Sequence, residues 1–276
     1  VRLKIPSVKR ILLALAGAAV IALAYVAIQQ TITLREVRRD LREMFFAQIR
    51  PVRLANCKLE RFGSPHDGGY LMCANLLDQV KSAYSYGIGG NDDWGCDISK
   101  RYKVPVHQYD CFNLRRPSCP GGVFDFHEEC VAGSAQRIDD RPFDSVASHV
   151  VRNGDSGKRL VVKMDVEGAE LESLFAMPDE LLREVDQLVV EFHSIHEPHD
   201  VRLLEKLKRT FHVAYVHANN YACRWGEPPF TSGANEILFV NRRLAVVDDA
   251  GSGPVPVSPL ASSNNPKVPE CQLRWP

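Results

Sequence analysis

An apolar run that stops on a carboxylate and turns at once through a glycine into a helix restricts this chain more than any other feature: Val161-Val-Lys-Met-Asp-Val-Glu-Gly-Ala-Glu170. Such an edge belongs to a buried parallel strand. Both faces of the strand are covered, and its carboxyl end opens on the ligand crevice of an open α/β sheet. A second edge of the same kind lies upstream, at Tyr84-Ser-Tyr-Gly-Ile-Gly-Gly90. Together they predict an α/β fold with a nucleotide-type cofactor site.

The rest of the chain from Cys57 supports that class. Strands are expected at 82–88, 104–110, 160–165, 187–192, 211–217 and 236–240, with a weaker one at 129–132. Helical spacing falls at 92–102, 143–151, 170–175 and 200–209, and Pro178 interrupts the helix that opens at Glu170. Alternating strands and helices with unbroken apolar strands imply a mostly parallel sheet covered on both faces. The last two strands lie close enough in sequence to form an antiparallel edge. From Asp248 the chain changes character: Gly251-Ser-Gly-Pro-Val-Pro-Val-Ser-Pro and Ser262-Ser-Asn-Asn-Pro read as a loosely docked tail.

The amino-terminal region reads differently. Residues Ile11 to Ile28 are eighteen in a row without a charge, preceded by Arg2, Lys4, Lys9 and Arg10. A spanning helix needs roughly 17–25 such residues, so 1–30 is expected to be a membrane anchor. The alternative is a cleaved signal peptide, for which Ala22-Leu-Ala24 offers a small-x-small site. Leu34, Val37, Leu41, Phe45 and Ile49 then recur at helical spacing, which predicts a stem helix and linker over 31–55 that Pro51 stops. The remaining parts are a catalytic domain over 56–247 and a tail over 248–276.

Lysine plus arginine equals aspartate plus glutamate at 34 each. With no basic excess or stripe, nucleic acid is not an expected partner. The even count of 8 cysteines behind an anchor points to an oxidising lumen with some disulfides, whose pairing the sequence does not fix. Membrane orientation is equally open, because arginines flank the apolar run on both sides.

Four groups of residues could carry chemistry. Gly87, Gly89 and Gly90 let backbone approach a ligand, with a helix amino terminus behind them, although the same glycines also suit a plain tight turn. Asp110 ends the next strand, where a βαβ unit binds a ribose hydroxyl pair. Asp165 is the functional candidate on the central edge, Glu170 reads as structural, and Glu167 stays open between the two. Glu191 and His193 follow a buried strand and suit a polar site wall or general base. With His196 and His199 they also invite a metal reading, but a loop fixes no geometry at that spacing, and no metal is expected. Gly154-Asp-Ser-Gly157 is similar to a serine-protease nucleophile segment but sits in a hydrophilic link without identifiable partners. Asp92-Asp93 and Asp165-Val-Glu167 are similar to the acidic pairs of sugar-nucleotide enzymes without being Asp-x-Asp.

At Val161 to Glu170 the chain resembles FkbM-type class I methyltransferases, whose signature reads Lys-Ile-Asp-Val-Glu-Gly-Ala-Glu. Cys57-Lys-Leu-Glu-Arg-Phe-Gly-Ser-Pro-His-Asp-Gly-Gly-Tyr70 looks like the opening of a membrane-anchored methyltransferase-like subgroup. The resemblance runs from Cys57 to Val240. It implies a Rossmann-like, seven-stranded sheet, mostly parallel and preceded by a transmembrane helix, with S-adenosylmethionine as cofactor. Gly87, Gly89 and Gly90 would face the cofactor's amino-acid part and Asp110 its ribose. Glu129 to Val131 would lie near the adenine, and Asp165 beside the methyl group. The acidic residue that often precedes the first glycine is missing, and Asp92 or Asp93 would have to replace it. The implied activity is O-methylation of a glycan or small molecule by a single-pass membrane protein with its catalytic domain lumenal or, failing the anchor, secreted. Two other classes stay open: a membrane-anchored glycosyltransferase using a sugar nucleotide and metal, and a non-catalytic binding module that recognises a partner through the loop from Phe62 to Tyr70.

Overall fold

The chain enters its sheet through one unbroken helix, α1 (Val8–Gln48), in the computed structural model, which describes residues 8–193, 198–223, 232–248 and 260–271. A hairpin follows, β1 (Leu59–Gly63) with β2 (Gly69–Cys73). Then come β3 (Ser82–Tyr86), α2 (Asp93–Tyr102), β4 (Pro105–Tyr109) and β5 (Val123–His127). A three-stranded insert is made of β6 (Cys130–Val131), β7 (Gln136–Ile138) and β8 (Arg141–Asp144). The second half runs α3 (Val146–Arg152), β9 (Leu160–Met164), α4 (Glu170–Ala176), α5 (Asp179–Glu184), β10 (Val185–His193), α6 (Pro198–Thr210), β11 (Phe211–Ala218) and β12 (Ala234–Asn241).

The main sheet has seven strands in the order β11-β12-β10-β9-β3-β4-β5. The pairs β10–β9, β9–β3, β3–β4 and β4–β5 are parallel, while β12 is antiparallel to both β10 and β11. Numbered by their own order, these strands follow the doubly wound 3-2-1-4-5-6 order with a last, antiparallel strand slotted between the fifth and sixth. The core is therefore a mixed, Rossmann-like α/β sheet. Alternate residues of β9 feed opposite faces. Val162 and Met164 join Phe45, Phe46, Leu204 and Phe239, and Val161 joins Phe62, Met72, Trp94 and Leu238. The β1–β2 hairpin and α2 cover the second face, and α3 to α6 with the end of α1 cover the first.

The expected membrane anchor is corrected here. Among the described residues no helix is long and apolar enough to cross a membrane. Within the same helix the apolar stretch gives way to Gln29 and Gln30 and then to the charged segment from Arg35. Residues 1–7, with Arg2 and Lys4, lie outside the description. The transmembrane helix, the membrane as partner and the single-pass placement fall together. No break separates an anchor from a stem: nothing from Gln29 to Gln48 is glycine or proline, so the helix continues until its last turns bury Leu41, Phe45 and Phe46 beside α6.

Two other elements differ from expectation for identifiable reasons. The third strand of the first half is β5, at Val123–His127, not 129–132. It is an edge strand whose side chains are all exposed or half-buried, so it lacks the apolar run that marks a central strand. The expected helix over 143–151 begins only at Val146, because Ser145 caps it by accepting from Ser148 N–H, and Arg141–Asp144 is β8.

All eight cysteines pair: Cys57–Cys73, Cys96–Cys119, Cys111–Cys130 and Cys223–Cys271. Such bonds persist in an oxidising environment. The last one fastens the tail segment 260–271, which packs against the domain instead of hanging loose. Asn265 and Val268 carbonyls accept from Asn220, and Asn264 reaches both Asp67 and Glu236.

On the first face His127, Tyr109, His149 and Tyr86 stack ring on ring, with centroids 4.5, 4.0 and 5.7 Å apart along the series. Burial, helped by the charge of Arg152, pulls His149 from its ordinary 6.5 down to about 3. Below its ordinary value the unfolded chain accepts a proton that the folded chain refuses. Stability from this residue is therefore complete above about 6.5 and declines as pH falls toward about 3. His149→Gln is expected to flatten the fall in melting temperature between about pH 7 and pH 5 relative to the native chain. Equal falls in both proteins would show that His149 does not set the dependence.

Candidate functional site

The strand order reverses between β3 and β9, since the chain leaves β3 toward β4 and returns to place β9 on the other side. Open α/β sheets bind ligands at such a switch point, outside the carboxyl ends of the strands. A cleft of about 610 Å3 lies there, lined by Gly87, Gly89, Asp110, Val131, Lys163 and Asp165 among others. Five sequence candidates thus meet in one cavity. Gly90 stands just outside its lining.

Each turn residue has a reason. Gly87 has φ +71°, and a Cβ there would stand 1.7 Å from the Asp165 carbonyl oxygen, so the two strand ends approach only because the side chain is missing. Lys163 Nζ donates to the Gly87 carbonyl at 2.6 Å, which fixes the turn from below. Gly89 N–H donates to Asp110 Oδ2 at 2.9 Å. Asp110 Oδ1 accepts from the N–H groups of Phe112 and Asn113, both at 2.9 Å. This carboxylate is held in place by three backbone donors, and Oδ2 keeps a lone pair for one more. The Cys111–Cys130 disulfide joins the neighbour of Asp110 to the neighbour of Val131, so the two expected contacts are cross-linked.

At the other end of the cleft Asp165 Oδ2 accepts from Tyr70 O–H at 2.9 Å and lies 3.6 Å from Lys163 Nζ. Burial, followed by the charges of Asp165, Glu191 and Glu236, pushes the Tyr70 hydroxyl well above its ordinary range, so it stays a donor. Behind Asp165 stand the other two catalytic candidates. His193 Nε2 is 3.9 Å from Asp165 Oδ1, 3.5 Å from Glu167 Oε2 and 3.7 Å from Glu191 Oε1. Its Nδ1 is 3.1 Å from Glu170 Oε1. Burial favours a neutral His193, but the hydrogen bond and charge of Glu170, with Glu191 and Glu167, outweigh it and raise the pKa. Burial also raises Glu191, with Asp165 and Glu236 adding to it, while Asn219 Nδ2 donates to its Oε1 at 2.7 Å. Each group's charge thus favours the ionised form of the other within a cluster rich in carboxylates.

Glu170 is fully buried and accepts from Gly168 N–H at 2.8 Å and His193 N–H at 2.6 Å, a structural role. Asp92 caps α2 through Gly95 N–H and accepts from Gln108 Nε2, so its carboxylate is occupied by the fold. Asp93 accepts from Asn91 on the exposed side. His196 lies outside the described residues, and His199 sits on α6 beside Asp200, in a separate depression. Asp155, within Gly154 to Gly157, accepts from Tyr84 O–H and Lys158 Nζ as part of the frame.

Sequence reasoning did not single out Lys163, Tyr70 or Trp94. Lys163 had a signal, since a lone cation inside an apolar strand needs a partner. Trp94 lines the cleft with a buried Nε1–H that has no acceptor among the described residues, and nothing in its local sequence announces that.

No protein-family model matches the chain, and no curated protein matches it. The assignment to the FkbM type and its anchored subgroup is corrected accordingly. The decapeptide that suggested it is accounted for locally by a buried strand, a carboxylate at its end, a glycine at φ +109° and a helix whose first turn is acidic.

Proposed function

We propose that this chain is an S-adenosylmethionine-dependent methyltransferase acting on an oxygen of a glycan or small-molecule acceptor. The observation that carries the reading is one cleft at the switch point with a fixed carboxylate at each end, Asp110 and Asp165, and glycine backbone between them. The residues present fit the cofactor. Asp110 Oδ2 suits a ribose hydroxyl, Val131 and Phe143 supply an apolar wall for a base, and the buried Trp94 Nε1–H suits a carboxylate. When bound, the cofactor supplies a methyl group already activated on a sulfonium, so the protein chiefly aligns the partners. Asp165 contributes a negative charge at the reacting end, oriented by Tyr70. Lys163 keeps the Gly87 turn in register, and the Glu191–His193 pair stands behind as a proton reservoir.

Titration of S-adenosylmethionine into the native chain and Asp110→Ala tests the reading. Micromolar binding is expected, weakened about 10- to 100-fold by the substitution, the range for a charge-assisted hydrogen bond. No binding to a folded native chain would overturn the proposal. Asp165, Glu167 and His193, with donor atoms within 4.8 Å of one another, favour a sugar-nucleotide transferase as the second reading. Binding of a nucleoside diphosphate sugar with manganese, and none of the methyl donor, would select it.

A further inference from the structure

Behind the cleft, Glu191 on β10 and Glu236 on β12 stand directly opposite each other across the antiparallel ladder, and both are buried. Like charges at such a pair repel, and burial strengthens the repulsion. Asp67, from the hairpin loop, brings a third carboxylate, and one oxygen of each lies within 4.8 Å of the others. Two imidazoles face three carboxylates: His217 Nδ1 is 3.3 Å from Glu236 Oε2 and His193 Nε2 is 3.7 Å from Glu191 Oε1.

A fourth group points to what the cluster holds. Asn264, from the docked tail and only 3% exposed, inserts its amide among these carboxylates. Nδ2 donates to Glu236 Oε1 at 2.6 Å and to Asp67 Oδ1 at 3.0 Å. Its Oδ1 is buried without a hydrogen-bond partner among the described residues. An amide turned by half a revolution would present that oxygen to the same space, which is favourable only if a positive charge sits there.

We propose that a hard divalent cation binds between Asp67, Glu191 and Glu236, with the Asn264 amide oxygen as a further ligand. Carboxylate and amide oxygens without sulfur or imidazole suit calcium, magnesium or manganese. The cation would join the hairpin loop, β10, β12 and the tail at one point. Because Asp67 and Gly68 also line the cleft, it would set the position of the cleft mouth. A proton on Glu191 is the competing way to relieve the crowding. The inference does not depend on methyl transfer and is tested without the donor.

The experiment is calorimetric and thermal titration of the oxidised full chain, stripped with chelator, with calcium, magnesium and manganese in turn. One equivalent per chain of at least one of them is expected, with a rise in melting temperature. Asp67→Asn, an exposed loop substitution that leaves the core untouched, is expected to weaken binding about tenfold or more. Glu236→Gln, checked for folding by circular dichroism, is expected to do the same. No binding of any of the three at about 10 mM would overturn the site. Binding unchanged by both substitutions, or abolished only by Asp165→Asn, would place the cation elsewhere and overturn it equally.

Discussion

Replacing Asp165 with asparagine is expected to slow methyl transfer by about a hundredfold or more while leaving donor affinity close to native. The substitution keeps the shape and leaves an oxygen to accept from Tyr70 O–H, so the strand end stays in place. It removes a carboxylate that lines the cleft, faces His193 Nε2 and, unlike the exposed Glu167 beside it, accepts from Tyr70. Loss of a group that manages a proton or developing charge in the transition state costs about 10²- to 10⁴-fold. Demethylated donor formed with a common acceptor, measured alongside donor titration, separates the two effects. Native turnover in the variant would remove the reactive end of the proposed site. A fall in affinity with unchanged turnover would make Asp165 a binding residue only.

The largest loss of stability is expected at the opposite edge of the sheet, from Asp186→Ala. Asp186 is the extra residue of a bulge in β10, between the pairs Val185–Leu160 and Gln187–Val161. Its carboxylate is fully buried and takes Arg159 through Nε at 2.9 Å and Nη2 at 2.6 Å, and Arg243 from the turn after β12. Removing one partner of a buried pair costs about 3–5 kcal/mol because the other charge is left behind. Both arginines keep about a third of their side chains in solvent, so the lower end, about 3 kcal/mol, is expected. Against total stabilities of about 5–15 kcal/mol this is a large share, readable as a shift in the denaturant midpoint. A shift corresponding to less than about 1 kcal/mol would mean that the arginines rehydrate freely.

What the sequence disclosed about this fold was what neighbours in the chain decide. β9 is legible because an apolar run covered on both faces ends in a carboxylate, and α2 because Asp92 stands where a cap must. The meeting of Gly87, Gly89, Asp110 and Asp165 followed from the strand edges and their spacing, whereas Val131 was named only through the family resemblance. The edge strand β5 was missed because half-exposed residues carry no apolar run. The union of Asp67, Glu191, Glu236 and Asn264 depends on pairings between distant segments, which no local pattern encodes. The same holds for disulfide partners and for the bulge at Asp186. The division of the amino-terminal helix into anchor and stem followed composition, whereas helix continuity follows the absence of breakers.

The switch-point order has a kinetic consequence. Every disulfide joins residues separated by 16, 23, 19 or 48 positions, so each closes within a neighbourhood of the chain. The cleft depends instead on β3 lying beside β9, with Ser82 against Leu160 and Tyr86 against Met164, across the whole β4 to α3 region. Pairing at such separation must first meet the entropy of closing a long loop, which slows all-or-none assembly. Oxidation can therefore precede the central parallel ladder during refolding, and ligand competence should be among the last properties the chain recovers.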